Sequence, residues 1–470
     1  MSTEPKLTVL IVGAGLGGVL LGALLEKCEI PYTIFERATT VKPLGSAMSV
    51  GPPLLPLFAQ LGIEEEYIAM SKFARHHEVI NEFGESLLSL DYVIGQEYSG
   101  YTGYIVARPL LYDLLLKQIP AHKIHFGTRV QSIKDEGDKV EIQTTTGEIY
   151  RGDILVGADG AYSTVRQSLY ARLDNEGRLP KDDLADLPFR STCLVGQTLP
   201  LDLEQYPRLK DPKCPFFSTF GDDKPYSWAL FPTAQHTIAW MVLFHHPYSS
   251  KTAEEKRAND GENAEWGHNA AQAMIEKTRD FPISFGDGKK TMGDLYDQTP
   301  IELISKVMLE EKIFETWSSG GVVLLGDACH KLNPAGGQGA ITAMHDAIAL
   351  ANLLYALPND TTPTTSEIEQ AFSDYRAERY PAAVEAFNGS QMLAKFMEKG
   401  FGGKIAFFLA KHIPTFLWNI FVKDMVSHRP QLGYLDAVPE RGTVLAAVEK
   451  SGVKAREVFE RRQRAASAVV

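Results

Sequence analysis

Val9-Leu10-Ile11-Val12-Gly13-Ala14-Gly15-Leu16-Gly17-Gly18 is the stretch on which the reading of this 470-residue chain turns. Leu7 to Val12 is a short continuous apolar run, as expected of a central parallel strand buried on both faces. It runs directly into G-x-G-x-x-G, with glycines at 13, 15 and 18. Gly13 permits the tight turn, Gly15 lets a pyrophosphate approach the backbone, and Gly18 lets helix and strand pack closely. A helix is predicted from about Gly17 to Cys28, its positive end facing the phosphates. Pro31 to Glu36 reads as the next strand and ends in an acid 18 residues beyond Gly18. That spacing suits a carboxylate accepting hydrogen bonds from a ribose diol.

Two later segments echo the first. Ile154-Leu155-Val156-Gly157-Ala158-Asp159-Gly160 is another apolar run ending in a glycine-rich turn. Gly321 to Leu325 is a third, ending at Gly326-Asp327, where an aspartate at a strand's carboxyl end can accept from a sugar or ribityl hydroxyl. Pro334-Ala335-Gly336-Gly337-Gln338-Gly339 follows, nearly all small side chains, exposing N–H groups and allowing a flat ring to lie against it. A helix from about Ala340 to Leu354 would place its N-terminal dipole beside a reduced flavin. One glycine fingerprint alone is weak, and a solvent-facing Asp327 on a structural loop is the bland alternative. Three such segments in this order point to FAD rather than NAD. The expected fold class is α/β, a discontinuous Rossmann-type FAD domain with a β-sheet substrate domain and a helical C-terminal tail.

On these motifs the chain resembles single-component FAD-dependent monooxygenases of the p-hydroxybenzoate hydroxylase type over roughly residues 5 to 385. The resemblance implies that Gly13, Gly15, Gly18 and Glu36 hold the AMP half of FAD. It implies that Asp159, with Ser163 and Arg166 completing the second motif, orders the pyrophosphate region and a transient NAD(P)H site. Arg108, in Val106-Ala107-Arg108-Pro109-Leu110-Leu111, matches the family's arginine near the FAD phosphates. Asp327 would touch the ribityl chain, and Pro334, Gly337, Gly339 and Ala340 would lie along the isoalloxazine. One departure is Ile341, where many relatives carry Asn. Arg429-Pro430-Gln431 and Glu440-Arg441-Gly442-Thr443-Val444 look more like fungal members than bacterial ones.

Domain limits follow from where the motifs fall. Residues 1–75, 101–183 and 300–385 are expected to form the FAD domain, 76–100 and 184–299 the substrate domain, and 386–470 a helical C-terminal region. Ile238-Ala239-Trp240-Met241-Val242-Leu243-Phe244 alternates with period two, as strands with one buried face do. A sheet there would roof the flavin, with substrate at the domain interface. Residues 250–268, charged and rich in Lys, Glu, Asn and Gly, read as an exposed loop or helix edge.

Composition narrows the rest. A net charge of −12 leaves no general basic surface for nucleic acid. Cys28, Cys193, Cys214 and Cys329 form no C-x-x-C, so neither a metal site nor a disulfide framework is expected. Met1 to Thr8 lacks a charged n-region, so a signal peptide is not expected and the location is read as cytoplasmic, with membrane association the alternative. Residues 400–426 are apolar and aromatic, but Lys404, Lys411, His412, Pro414 and Lys423 interrupt them. Two short helices packing on the FAD domain or a partner subunit are favoured over an interfacial anchor. The basic run Lys454 to Arg464 reads as a solvated terminal helix. The expected partners are a small-molecule substrate and O2, with a homodimer as a candidate assembly.

The resemblance implies hydroxylation of an electron-rich, phenolic small molecule through a flavin hydroperoxide, with NADPH or NADH as transient co-substrate. Tyr226 and His330 are the candidate catalytic residues, each weighed against a core or supporting role. The alternatives are epoxidation of an isoprenoid or prenylated secondary metabolite on the same scaffold, and a non-catalytic FAD-binding protein.

Overall fold

A computed structural model of the chain describes residues 7–40, 47–213, 216–221, 224–246, 268–286, 288–397 and 412–467. The apolar runs do become neighbouring strands. Val322–Leu324, Ile154–Gly157, Val9–Val12, Tyr32–Phe35 and Ile124–His125 lie side by side in parallel, with Ser318–Ser319 antiparallel at one edge. Val9–Val12 and Ile154–Gly157 are buried throughout, which is why they read as unbroken hydrophobic runs rather than alternating ones. The helix Leu16–Lys27 starts at Gly15 and packs against the helix Gly339–Tyr355, so the first and third glycine loops open on the same side of the sheet. A three-stranded antiparallel layer, Val130–Asp135, Val140–Thr144 and Ile149–Gly152, adds Tyr150 against Phe35.

The second sheet has seven strands in the order Ser305–Glu310, Phe189–Gln197, Ile238–His245, Tyr226–Pro232, Phe216–Phe220, His76–Asn81, Ser86–Asp91. One face is sealed by the helices His268–Thr278 and Met292–Asp297 around Trp228, Leu230, Trp240 and Val242. The two buried indoles are satisfied: Trp228 donates to Pro282 O at 2.9 Å and Trp240 to Thr299 Oγ1 at 3.0 Å. The other face meets the first body, where Phe216, Phe231 and Ala239 cluster with Ala47, Ala74 and Ile105. Of residues 250–268, read above as an exposed loop or helix edge, 250–267 lie outside the described residues.

The C-terminal region is woven into the first body. Leu432, Tyr434 and Ala455 belong to its hydrophobic core, and Tyr434 donates to Leu24 O at 3.0 Å. Arg429 is buried and donates to Val426 O, Glu440 Oε2 and Val444 O. The helix Lys450–Ser467 docks on Gly339–Tyr355 with Ala455 and Val458 buried, while Lys454, Arg461 and Arg464 of its basic run stay exposed. Of the interrupted apolar stretch, 401–411 falls outside the described residues, and Thr415–Ser427 is a helix beginning after Pro414. Its outer stripe exposes Phe416, Ile420 and Phe421, but Asp424, with a 60% exposed side chain, sits among them. Among the described residues no helix is long and apolar enough to cross a membrane. Cys28, Cys193 and Cys329 are free, and Cys214 is not among the described residues.

Candidate active site

The first glycine loop is shaped by two constraints internal to the protein and one left open. Gly13 sits at φ +105°, and a Cβ there would lie 2.8 Å from Asp159 Cα. A Cβ on Gly18 would press into the Gly13 carbonyl oxygen. A Cβ on Gly15 would meet nothing within 4 Å, so no protein atom demands glycine there. The helix that follows has no side-chain cap, and its first intrahelical donor is Val19 N–H to Gly15 O. The N–H groups before it point out of the helix end toward that open space. Glu36 accepts from Ala14 N–H and Ala38 N–H, each at 2.9 Å, one per carboxylate oxygen. Each oxygen keeps a lone pair for a sugar hydroxyl. This donor-rich, glycine-floored cradle beside an acid fits the AMP and pyrophosphate of a dinucleotide.

The second motif is turned inward. Asp159 accepts from Ser163 Oγ at 2.5 Å, Thr164 N–H at 2.6 Å and Val165 N–H at 3.3 Å, capping the helix Thr164–Asn175. Burial raises its pKa and those hydrogen bonds only partly counter it. Arg166 donates to Ala161 O at 2.6 Å and Ala328 O at 2.9 Å and lies over Phe314, tying the second motif to the third.

In the third motif Gly326 adopts φ +63°, which turns the chain so that Asp327 projects beside Lys331 at 2.5 Å. Burial pushes the Asp327 carboxyl up, but Lys331, His330 and Arg108 more than offset this and hold it below its ordinary value. Arg108, exposed at the start of its helix, is thus brought to the same corner as Asp327. Pro334–Gly336 is a single 3-10 turn, and Gly337 (φ +63°) and Gly339 have no protein atom within 4 Å of a built Cβ. The open surface fits a flat ring, and Ala340 lies in the first turn of the helix behind it. Ile341 is buried in the core, so the departure from Asn is absorbed by packing.

The two candidate catalytic side chains are placed elsewhere. Tyr226 shares a face with Trp228 and packs on Phe244 and Phe281, so it points into the substrate sheet's own core, away from the first body. His330 is 0% exposed, with Nε2 2.5 Å from Asp346 Oδ2 and its ring against Trp317. It presents no atom to the open side.

Sequence reasoning missed the residues of opposite parity. The face turned to the first body carries His77, whose Nε2 lies 2.8 Å from Ser218 Oγ, and His245, 2.9 Å from Ser227 Oγ. Burial lowers both imidazoles to about 4, so both are neutral at pH 7. Among the described side chains Glu78, Asp91 and Lys306 take the other parity, while Glu310, beyond a register shift at the sheet's edge, accepts from the Tyr162 hydroxyl of the first body; the described side chains on the central strands present no formal charge on this face. Period-two alternation was legible in Ile238 to Phe244, but not which parity looks outward.

Comparison with known proteins agrees with this geometry. The FAD binding domain family matches residues 6–279 and 289–389. The FAD-dependent monooxygenase paxM of Penicillium paxilli is 30% identical over 408 residues, covering 84% of this chain and 79% of its own. The FAD-dependent monooxygenase ptmM of Penicillium ochrochloron is 27% identical, covering 84% of this chain and 90% of its own. Among solved structures, Klebsiella pneumoniae HpxO complexed with FAD and uric acid superposes with a TM-score of 0.69 at 18% identity, covering 90% of this chain and 97% of that one, a likeness of fold. The chain belongs to the FAD binding domain family, and it is a FAD-dependent monooxygenase.

Proposed function

We propose that this enzyme inserts one oxygen atom of O2 into an uncharged, apolar, electron-rich small molecule of secondary metabolism, using NADPH or NADH as reductant. The observation that carries this reading is that, among the described side chains, the central strands of the seven-stranded sheet turn no charge toward the first body, only two neutral imidazoles. A substrate carboxylate buried against those strands would find no cation among their described side chains, at a cost of several kcal/mol. An apolar molecule meets Met241, Leu243 and Val307 instead.

Bound FAD supplies the redox chemistry: it accepts a hydride from the nicotinamide and activates O2. Gly13, Gly15, Gly18 and Glu36 would hold its AMP half, Arg108 its phosphates, Asp327 its ribityl hydroxyls, and Pro334, Gly337, Gly339 and Ala340 the ring. Asp159 supports this site by capping the helix it precedes. The protein's own task on the substrate side is orientation and exclusion of water.

Within this class, oxygenation of a carbon–carbon double bond in an isoprenoid or prenylated molecule is favoured over ring hydroxylation of a phenol. Phenol activation needs a base near the ring. Tyr226 and His330 face elsewhere, and the imidazoles on the cleft face are pushed toward weak basicity. The phenol reading survives through His245, whose neutral ring still accepts hydrogen bonds. The test is NAD(P)H oxidation against matched neutral and carboxylated prenylated aromatics and phenols, with product mass and structure determined. Neutral alkenes giving a product heavier by one oxygen support the reading. Preferential turnover of carboxylated phenols would overturn it.

A further inference from the structure

Beneath the Gly326-Asp327 turn lies a closed ionic cluster that no part of the proposed chemistry uses. Asp346, on the helix Gly339–Tyr355, is 0% exposed and accepts three hydrogen bonds from three parts of the chain. His330 Nε2 lies 2.5 Å from Oδ2, Arg379 Nε lies 2.8 Å from Oδ1, and Gly326 N–H donates to Oδ2 at 3.2 Å. Arg379 comes from the long helix Thr365–Met397, and His330 from the segment that also carries Lys331. The carboxylate therefore fixes the backbone on both sides of Asp327. Gly326 is pinned directly, and His330 is pinned three residues after Asp327, next to the lysine that pairs with it. The turn itself is intolerant, since Gly326 sits at φ +63° and a Cβ there would lie 2.9 Å from Ala343 Cβ.

We infer that Asp346, with His330 and Arg379, is a positioning residue for FAD, acting through Asp327 rather than by touching the cofactor. This rests on the assignment of Asp327 to the cofactor. Asp346 hydrogen-bonds the turn from the helix whose N-terminus carries Gly339 and Ala340, adding a directional tie to the packing of Gly326 on Ala343, so a buried carboxylate helps set both sides of the site relative to each other. Burial would raise its pKa, but His330 and Arg379 together lower it to about 2, so the anchor is ionised throughout the physiological range.

The test is a double-mutant cycle read as FAD affinity, not turnover. Apoprotein of the wild type, Asp346→Asn, Asp327→Ala and the double variant is titrated with FAD by quenching of flavin fluorescence, and apo and holo melting temperatures are recorded. The expected result is that Asp346→Asn raises the FAD Kd at least about fivefold in the wild type and less than about twofold once Asp327 is alanine. Equal effects in both backgrounds would overturn the inference, as would an unchanged Kd with equal losses of apo and holo melting temperature. An unchanged Kd for Asp327→Ala alone would instead remove the assignment of Asp327. Should Asp346→Asn fail to fold, His330→Phe, which keeps a ring on Trp317 but removes one donor, enters the same cycle with the same expectations.

Discussion

Replacing Gly15 by alanine separates two reasons for a glycine that the fingerprint merges. Gly15 caps its helix at φ −71° and ψ 178°, a conformation open to alanine, and the added methyl meets no protein atom within 4 Å. Stiffening the unfolded chain favours alanine by about 0.4–1 kcal/mol, while losing a helix-cap glycine costs a similar amount. The apoprotein should therefore melt within about 2 °C of wild type. Gly18→Ala is the control, because its methyl presses into the Gly13 carbonyl oxygen and lies 3.3 Å from Ala158 Cβ. Overpacking of that kind costs about 1–3 kcal/mol in the apoprotein itself. If the open space above Gly15 is where the pyrophosphate passes, the same 1–3 kcal/mol falls on the complex instead, raising the FAD Kd about 5- to 150-fold. Calorimetry of apo forms and fluorescence titration with FAD read the two quantities separately. A Gly15→Ala protein with wild-type FAD affinity, or one destabilised like Gly18→Ala before any FAD is added, would refute the reasoning.

Tyr226→Phe should leave kcat and KM within about twofold, because the ring faces the helix-covered core; a tenfold loss in steady-state kinetics would return it to the active site. Stability should fall as the pH drops from about 6.5 toward 4, because burial lowers His345 from 6.5 to about 4 and the unfolded chain then binds a proton that the folded chain refuses. That histidine accounts for about 3 kcal/mol, and His77 and His245 titrate in the same window, so His345→Asn should reduce the pH slope of urea midpoints without abolishing it; an unchanged slope would remove His345 as a cause. Asp346 adds a second phase of opposite origin: its stabilisation is complete above about pH 4 and is lost as the pH falls toward 2, read as a further drop in urea midpoint. Ending the chain after Ser427 removes Leu432 and Tyr434 from the core of the FAD domain, and Tyr434→Ala alone should cost about 3–5 kcal/mol. A truncated protein that stays soluble and yellow would contradict that packing.

What the sequence disclosed and what it hid divide along the range of the interactions. The strand, glycine loop and helix at Val9 to Lys27 are set by neighbours within a few residues, so their boundaries were predicted to within two positions. The same holds for Gly339–Tyr355. Parity in the second sheet is different in kind. Tyr226 and Ser227 differ by one position and face opposite ways, and which faces outward depends on helices more than 40 residues later. His330 stands in a recognisable motif, but its partner Asp346 lies 16 positions away, and Asp346's second partner Arg379 lies 33 further on, a spacing that follows no local period. The C-terminal strap was invisible for the same reason. Asn352 bonding Gln431 and Gly433, and Gln60 bonding Leu432, span from 79 to 372 positions.

The distribution of charge separates the two tasks of the enzyme. On the cofactor side buried charges are held by specific partners: Asp327 by Lys331, Asp346 by Arg379, and Arg166 by the carbonyls of Ala161 and Ala328. Such pairs are costly to bury and weak as a source of stability, but they are discriminating in geometry, since one displaced partner leaves a charge uncompensated. A cofactor that must be held in one pose suits that economy. On the substrate side the described side chains of the central strands carry no charge on the face turned to the first body, so affinity there comes from apolar area and shape, which vary smoothly with side-chain size. Exchanging Met241, Leu243 or Val307 for other apolar residues would change which molecule fits without disturbing any buried ion. Substrate range in this scaffold can therefore diverge while the turn at Gly326-Asp327 stays fixed, because the two sets of interactions share no residue.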